Sequence, residues 1–391
     1  MAVRPASTAR RRVAAVLAGL ALAAGATPYL LAPWSRGALV ALIVATELTP
    51  LIVVLGVAAA GLAWRATGGR PRQRAVLVAS ALGGAALALG PGLTARAAAR
   101  DAGRQLDALR PGDAPMVWRR ILREPPVPSP VTTRAVVVPA SDGTPLTARL
   151  TLPAGDAAPA ARPVVVVLYG GAWRAGAATA NEGVNRRLAG LGYVVLALDY
   201  RHAPRARWPA QRDDVRLGLA LLRDSAAAWG ADPRRVALWG RSSGGHLATR
   251  VAWDTAAPPV TVRGVVAFYA PFDLVAGYTD LPSPDPLDVR AILRDFTGGT
   301  PADRPAVYRD ASPSTFVRPG LPPTLLVYGR RDHIVLARFG RDAAAALRRA
   351  RVPVVHLELP AAEHGFDEVP GGPDGQAALW VAERFLARVL R

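Results

Sequence analysis

Gly240-Arg241-Ser242-Ser243-Gly244 sets a serine between two glycines at two-residue spacing, straight after the apolar run 236–239 and before a helical stretch. A chain that turns this sharply from strand to helix has no room for side chains two residues before or after the nucleophile. Such a turn lifts the Ser242 hydroxyl clear of a sheet and aims the Ser243 N–H at a substrate oxygen. Ser243 offers a second hydroxyl, but Arg241 lies on its N-terminal side where a glycine is needed, so that hydroxyl reads as structural.

A serine hydroxyl is a weak nucleophile and needs an adjacent base. The chain has five histidines. His202 precedes the nucleophile. His246 falls in the first turn after it and His356 inside a strand, where packing is the better reading. His333 adjoins Asp332 and shapes that loop. His364 stands in the loop Ala362-Glu363-His364-Gly365-Phe366, between a strand ending near 359 and the last helix, where a base belongs. Asp332 follows the apolar run 324–328 and suits the carboxylate that orients the ring and stabilises the imidazolium. It also suits an N-cap for the next helix. Glu363 and Asp367 are nearer in sequence, but such close neighbours rarely reach the correct ring nitrogen. Tyr169-Gly170-Gly171-Ala172-Trp173 ends an early strand, and we assign Gly170 and Gly171, with the N–H of Ser243, to an oxyanion hole. The chemistry is acyl transfer to serine, which needs neither a metal nor an organic cofactor.

These residues need a frame. From residue 131 onward strands are predicted at 136–138, 146–152, 164–169, 193–198, 236–239, 264–268, 324–328 and 354–359. Helices are predicted at 182–191, 214–229, from 243, at 337–350 and at 375–390. The alternation implies α/β architecture, with a mostly parallel sheet covered on both faces and ligands at the carboxyl ends of its strands. Residues 274–310, with many prolines and a short helix near 289–296, are expected to cap the pocket.

Taken together, residues 131–391 resemble the α/β-hydrolase superfamily, in the esterase branch that includes hormone-sensitive-lipase-like and BD-FAE-like enzymes. The resemblance rests on the elbow from Gly240 to Ala248 with its Gly-Gly-His-Leu-Ala tail and on Asp199-Tyr-Arg-His-Ala-Pro204 with Trp208-Pro-Ala and Asp214. It rests further on Ala311-Ser-Pro, Pro322-Pro-Thr-Leu-Leu, Asp332-His-Ile-Val and Glu363-His-Gly-Phe. It implies a serine carboxylic-ester hydrolase acting on small or acetyl-type esters. An arylformamidase-type amide hydrolase would use the same triad, and a non-catalytic binding protein would keep the fold. One departure stands out: the family usually has His-Gly-Gly where this chain has Tyr169-Gly-Gly. The backbone donors remain, but the contact that steadies the loop is changed.

The first third is of another kind. Residues 13–33 and 75–95 carry no charge, and 37–64 carries only Glu47. About 20 apolar residues cross the hydrocarbon core, so residues 1–96 read as an all-α transmembrane segment of about three helices. A cleaved signal peptide competes for the first run, but a second, longer run follows almost at once. Glu47, beside Pro50, reads as a residue near a helix end at the headgroup level. Residues 97–130 read as a charged juxtamembrane helix and a proline-rich linker.

The formal charge is +19, and lysine is absent. Residues 1–130 hold 16 Arg against 5 acids, much of the excess flanking the apolar runs. That is membrane-orienting charge, and no nucleic-acid-binding signature accompanies it. Arg4, Arg10, Arg11 and Arg12 precede the first run, Arg65, Arg70, Arg72 and Arg74 separate the second from the third, and only Arg36 lies between the first two. The positive-inside rule then places the catalytic domain outside the cytoplasm, in a multi-pass protein whose partners are the bilayer and a small ester. The chain has no cysteine, so disulfides and thiolate chemistry are excluded.

Overall fold

The structure is a computed structural model that describes residues 8–67, 70–106, 120, 122–155, 161–281, 283–369 and 371–391. Its organising element is a sheet whose central strands are buried on both faces. In β3 (Arg162–Leu168), Val164, Val166 and Leu168 join one hydrophobic cluster, while Val165 and Val167 join another across the sheet. That two-sided burial is what a continuous β-branched run codes for.

The eight strands are β1 (Val131–Pro139), β2 (Pro145–Pro153), β3, β4 (Val194–Leu198), β5 (Ala231–Arg241), β6 (Val262–Phe268), β7 (Thr324–Gly329) and β8 (Val354–Leu359). They lie in the order β1-β2-β4-β3-β5-β6-β7-β8. The β1–β2 hairpin adds antiparallel to β4, and every ladder from β4 to β8 is parallel. Parallel strands put their carboxyl ends on one edge. The loops holding residues 170–171, 242, 332 and 364 leave β3, β5, β7 and β8 there.

Among the described residues four helices precede the sheet, α1 (Thr8–Leu30), α2 (Arg36–Glu47), α3 (Thr49–Ala66) and α4 (Pro71–Gln105); those that follow are α5 (Glu182–Gly190), α6 (Ala210–Ser225), α7 (Ser243–Ala252), α8 (Leu274–Thr279), α9 (Val289–Thr297), α10 (Pro305–Ala311), α11 (Ala337–Arg349) and α12 (Pro373–Val389). α1, α3 and α4 are long and apolar enough to cross a membrane. The apolar stretch 37–64 is not one helix, as the sequence reading had it. Leu48 breaks it, and α3 restarts with Pro50 in its first turn, the one place where proline's missing N–H costs nothing. Likewise the stretch 75–95 is part of a longer helix that continues through Gln105. The first part of the expected juxtamembrane helix is therefore the end of α4, and the rest, over 107–119, lies outside the described residues.

α4 joins the two parts of the molecule. Its middle packs against α1 and α3, and its end contributes Ala95, Ala99 and Ala102 to the same sheet-side cluster as Trp380 and Phe385 of α12 (Pro373–Val389). Glu47 ends α2, at a helix end as expected, but its side chain is buried within the protein. It is 1% exposed, and its Oε2 accepts the N–H of Asp374, in the first turn of α12.

Candidate active site

Ser242 follows β5 and precedes α7 (Ser243–Ala252) with φ 50° and ψ −121°. This is backbone a non-glycine residue rarely adopts, held because the elbow over-determines it. Side chains are barred on either side of it: a Cβ at Gly240 would run into the carbonyl of Gly244, and one at Gly244 into those of Leu168 and Tyr169. The Ser242 N–H is tied to the Phe268 carbonyl at 2.9 Å.

The Ser242 hydroxyl lies 3.0 Å from His364 Nε2, and His364 Nδ1 lies 2.8 Å from Asp332 Oδ2. Residues 122 positions apart thus meet in the order hydroxyl, imidazole, carboxylate. Asp332 is buried, and its other oxygen accepts the N–H groups of Ile334 and Val335, each at 2.7 Å. The carboxylate therefore pins its own loop; it does not cap α11 (Ala337–Arg349), whose N-cap is Leu336. Burial disfavours a charged His364 ring, but Asp332 above all, with Glu363 and Asp367, outweighs it and holds the ring's pKa above the ordinary imidazole value.

The other histidines lie elsewhere. His246 is fully buried, takes the indole N–H of Trp173 on Nδ1 at 3.2 Å and lies 2.7 Å from the Ala311 carbonyl through Nε2. Burial pushes its pKa down to about 3, so it stays neutral and structural. His333 pairs with Glu363, whose other oxygen accepts the backbone N–H groups of His333 and His364. Glu363 thereby laces the acid loop to the base loop. The Ser243 hydroxyl is buried 3.4 Å from the Tyr200 hydroxyl.

Gly170 and Gly171 border the cavity beside Ser242 and Ser243. A Cβ on Gly170 would stand 3.2 Å from that of Ser242, and one on Gly171 would strike the Ala175 carbonyl. The tyrosine before them is tied to neighbouring side chains. The Tyr169 hydroxyl donates to Asp199 and lies 2.8 Å from His202 Nε2, while its ring stacks on Tyr200 with centroids 4.5 Å apart. Burial, the main cause, pushes its pKa far up, so the hydroxyl keeps its proton.

Two features were missed in the sequence. Arg241 is buried beside Ser242 and donates from Nε to Asp367 at 2.5 Å, and the Tyr269 hydroxyl donates to the other oxygen of the same carboxylate. The Tyr269 ring lies 4.5 Å from that of His364, so Asp367 braces the base loop from below. A charge inside an elbow of small residues was the available signal, because a buried guanidinium demands a carboxylate.

The second is a wall of the cavity. A space of about 590 Å³ opens above Ser242. Leu274 of α8 (Leu274–Thr279), with Ile292 and Leu293 of α9 (Val289–Thr297), lines one side, within the expected cap. Leu39 and Ile43 of α2 line it as well. A break in a 28-residue apolar run, at Glu47 and Pro50, was the hint that part of it had another use.

Several known proteins with similar sequences or folds are esterases. Residues 150–347 match the family model described as BD-FAE. Esterase LipC of Mycobacterium tuberculosis is 36% identical over 247 residues, covering 59% of this chain and 59% of LipC. The chain thus spans under two thirds of that relative's length. A bacterial heroin esterase superposes with a TM-score of 0.58 at 26% identity, over 76% of this chain and 91% of its own. An esterase of Pyrobaculum calidifontis superposes equally well, with a TM-score of 0.58 at 23% identity over 76% of this chain and 92% of its own, a likeness of fold.

Proposed function

The chain belongs to the BD-FAE family of α/β-hydrolases, and from that premise we propose that it is a membrane-anchored serine hydrolase of carboxylic esters working through an acyl-enzyme. The observation that carries the reading is the pair of contacts on His364, at 3.0 Å to the Ser242 hydroxyl and 2.8 Å to Asp332, at the floor of an open cavity.

In this mechanism Ser242 Oγ attacks the ester carbonyl carbon while its proton passes to His364 Nε2. Asp332 stabilises the imidazolium and holds the ring so that Nε2 faces the reaction. The negative oxygen of the tetrahedral intermediate is received by N–H groups at Gly170, Gly171 and Ser243; one such donor is worth about 2.7–4 kcal/mol. Collapse breaks the bond to the alkoxy oxygen, which leaves as the alcohol with the proton from His364. Water then attacks the acyl-serine with His364 again as base, and the acid departs. We assign small acyl groups, of the acetyl type, to the acyl side.

Support for the anchor comes from the way α1, α3 and α4 pack. Their contacts are made by small residues, among them Ala18, Ala59 and Ala81, while Val16, Leu20, Val54, Val57 and Val76 face outward. Side chains at Gly25 or Gly84 would strike the backbone of the opposite helix, at Gly84 and Ala21 respectively. Small residues inside and large apolar ones outside is packing suited to lipid as the solvent. The arginine asymmetry supports a hydrolase domain outside the cytoplasm.

The test is turnover of p-nitrophenyl acetate by the full chain in detergent, beside Ser242→Ala. The reading predicts hydrolysis that falls by several orders of magnitude in the variant. Equal rates in the two proteins would refute it.

A further inference from the structure

One wall of the active-site cavity belongs to the anchor. α2 carries no charge between Arg36 and Glu47. Its Leu39 and Ile43, one helical turn apart, face the cavity. Ile43 reaches the base loop itself: a Cβ on Gly365, next to His364, would stand 3.8 Å from Ile43 Cδ1. The neighbouring stripe of the same helix faces outward and is also apolar, with Val40 52% and Val44 38% exposed. Just before the helix, Trp34 is 73% exposed.

The ends of α2 settle what that outer stripe meets. Only residues 31–35 separate it from α1, and only Leu48 separates it from α3. A twelve-residue helix is about 18 Å long, too short to span, and it is held at the ends of two helices that can. A short helix with an apolar outward face in that position suits the boundary of the hydrocarbon layer, being too short to cross it. The hydrolase domain grips the same end of the bundle: the Arg331 guanidinium, beside Asp332, donates to the Tyr29 and Leu31 carbonyls at 3.3 and 3.1 Å. With the bundle in a bilayer, the cavity and the bilayer surface would share one helix as their partition.

Leu39, Ile43, Leu274, Ile292, Leu293 and Phe339 make most of the cavity wall apolar. An acetyl group fills little of about 590 Å³. The remainder suits an apolar body, which would pass from lipid to protein without exposure to water. We propose that the substrate is an ester dissolved in the bilayer, a short-chain acyl group on a lipid-soluble alcohol, and that it enters from the membrane side past α2. This deepens the ester-hydrolase reading and rests on it. Acyl transfer to Ser242 releases the alcohol back to the lipid, and water then regenerates the serine hydroxyl and releases the acyl group as its carboxylate and a proton.

The test uses the full chain in vesicles of an ether-linked phosphocholine lipid, which offers no ester of its own. Dodecyl acetate dissolved in the bilayer is followed by acetate release, and p-nitrophenyl acetate is supplied from the water. Ile43→Trp narrows the α2 side of the cavity. It is expected to lower the ratio of the two kcat/KM values, bilayer ester over aqueous ester, by roughly ten-fold or more. A ratio unchanged within two-fold overturns the entry route while leaving ester hydrolysis intact. If the unsubstituted chain turns over neither ester, the hydrolase reading fails, and this inference with it. A second measurement does not depend on that variant. The chain has no cysteine, so Val40→Cys takes a single environment-sensitive fluorophore. Blue-shifted emission quenched by nitroxide-bearing lipids is expected. Water-like emission without quenching overturns the proposal.

Discussion

Glu47, the last residue of α2, accepts the Asp374 N–H on Oε2 at 3.2 Å, so that a carboxyl group from the N-terminal helices is buried against the first turn of the final helix of the hydrolase domain. Both oxygens of the Asp374 side chain are buried without a hydrogen-bond partner among the described residues. Two acids in one dry contact cannot both ionise cheaply.

The consequence is a stability that depends on pH. Burial is the main cause that pushes the Asp374 pKa up to about 7, against about 3.9 for an unfolded aspartate. Between those values the folded chain keeps a proton that the unfolded chain has lost. The contribution is whole below about pH 4 and is lost as pH rises through about 7. Melting of the detergent-solubilised full chain should fall on the order of 5 °C between pH 5 and pH 8. Asp374→Asn should flatten that dependence, and an unaltered fall in the variant would show that the pair is not its source.

A second pH effect concerns rate. In the proposed mechanism His364 must be neutral to take the Ser242 proton, and its pKa is raised above the ordinary value. Hydrolysis of p-nitrophenyl acetate should therefore be lost, as pH falls, through an apparent pKa above about 6.5. Glu363→Gln removes one of the negative charges that raise it. The acid limb of kcat/KM should then move to lower pH. A limb that stays in place would assign the elevation to Asp332 and Asp367 alone.

Tyr169 makes a separate prediction. Its hydroxyl bonds to Asp199 and lies within hydrogen-bond distance of His202, holding the strand end that leads into Gly170 and Gly171. Tyr169→Phe keeps the stack on Tyr200 but frees the loop. We expect kcat for p-nitrophenyl acetate to fall about ten-fold with KM little changed, as for a group that positions oxyanion donors. A rise in KM at constant kcat would make Tyr169 a binding residue instead.

The bundle can be probed at one glycine. A side chain at Gly84 would meet the backbone of Ala21 and Leu22, which no rotamer change relieves. Gly84→Leu should force α1 and α4 apart and cut the yield of folded protein extracted from membranes several-fold. Gly83→Leu is the control, because the nearest atom to a Cβ there is a Leu22 methyl at 3.8 Å. Equal yields for both would mean that the close contact is dispensable.

Legibility in the sequence followed the range of the interactions. The elbow at Ser242 is local, so glycine spacing between strand and helix revealed it. His364 and Asp332, which the structure brings to Ser242, each follow a strand whose pattern is plain. The role of Tyr169 could not be read, since its partners Asp199 and His202 reach it only when β4 lies beside β3. Arg241 and Asp367 are 126 positions apart, and nothing local links them. The apolar run 37–64 matched a spanning helix in composition. Hydropathy does not distinguish a stripe that faces lipid from one that faces an active-site cavity, and so α2 as a wall of the site became visible only in three dimensions.

The central claim is that the hydroxyl at position 242 is the nucleophile. The most direct measurement is reaction of the full chain with a fluorophosphonate, whose phosphorus is attacked by an activated serine with loss of fluoride, followed by peptide mass mapping. The account predicts a single adduct on Ser242, absent in His364→Ala over the same interval. An adduct on Ser243, or an unmodified Ser242 in a preparation that still hydrolyses p-nitrophenyl acetate, would contradict it.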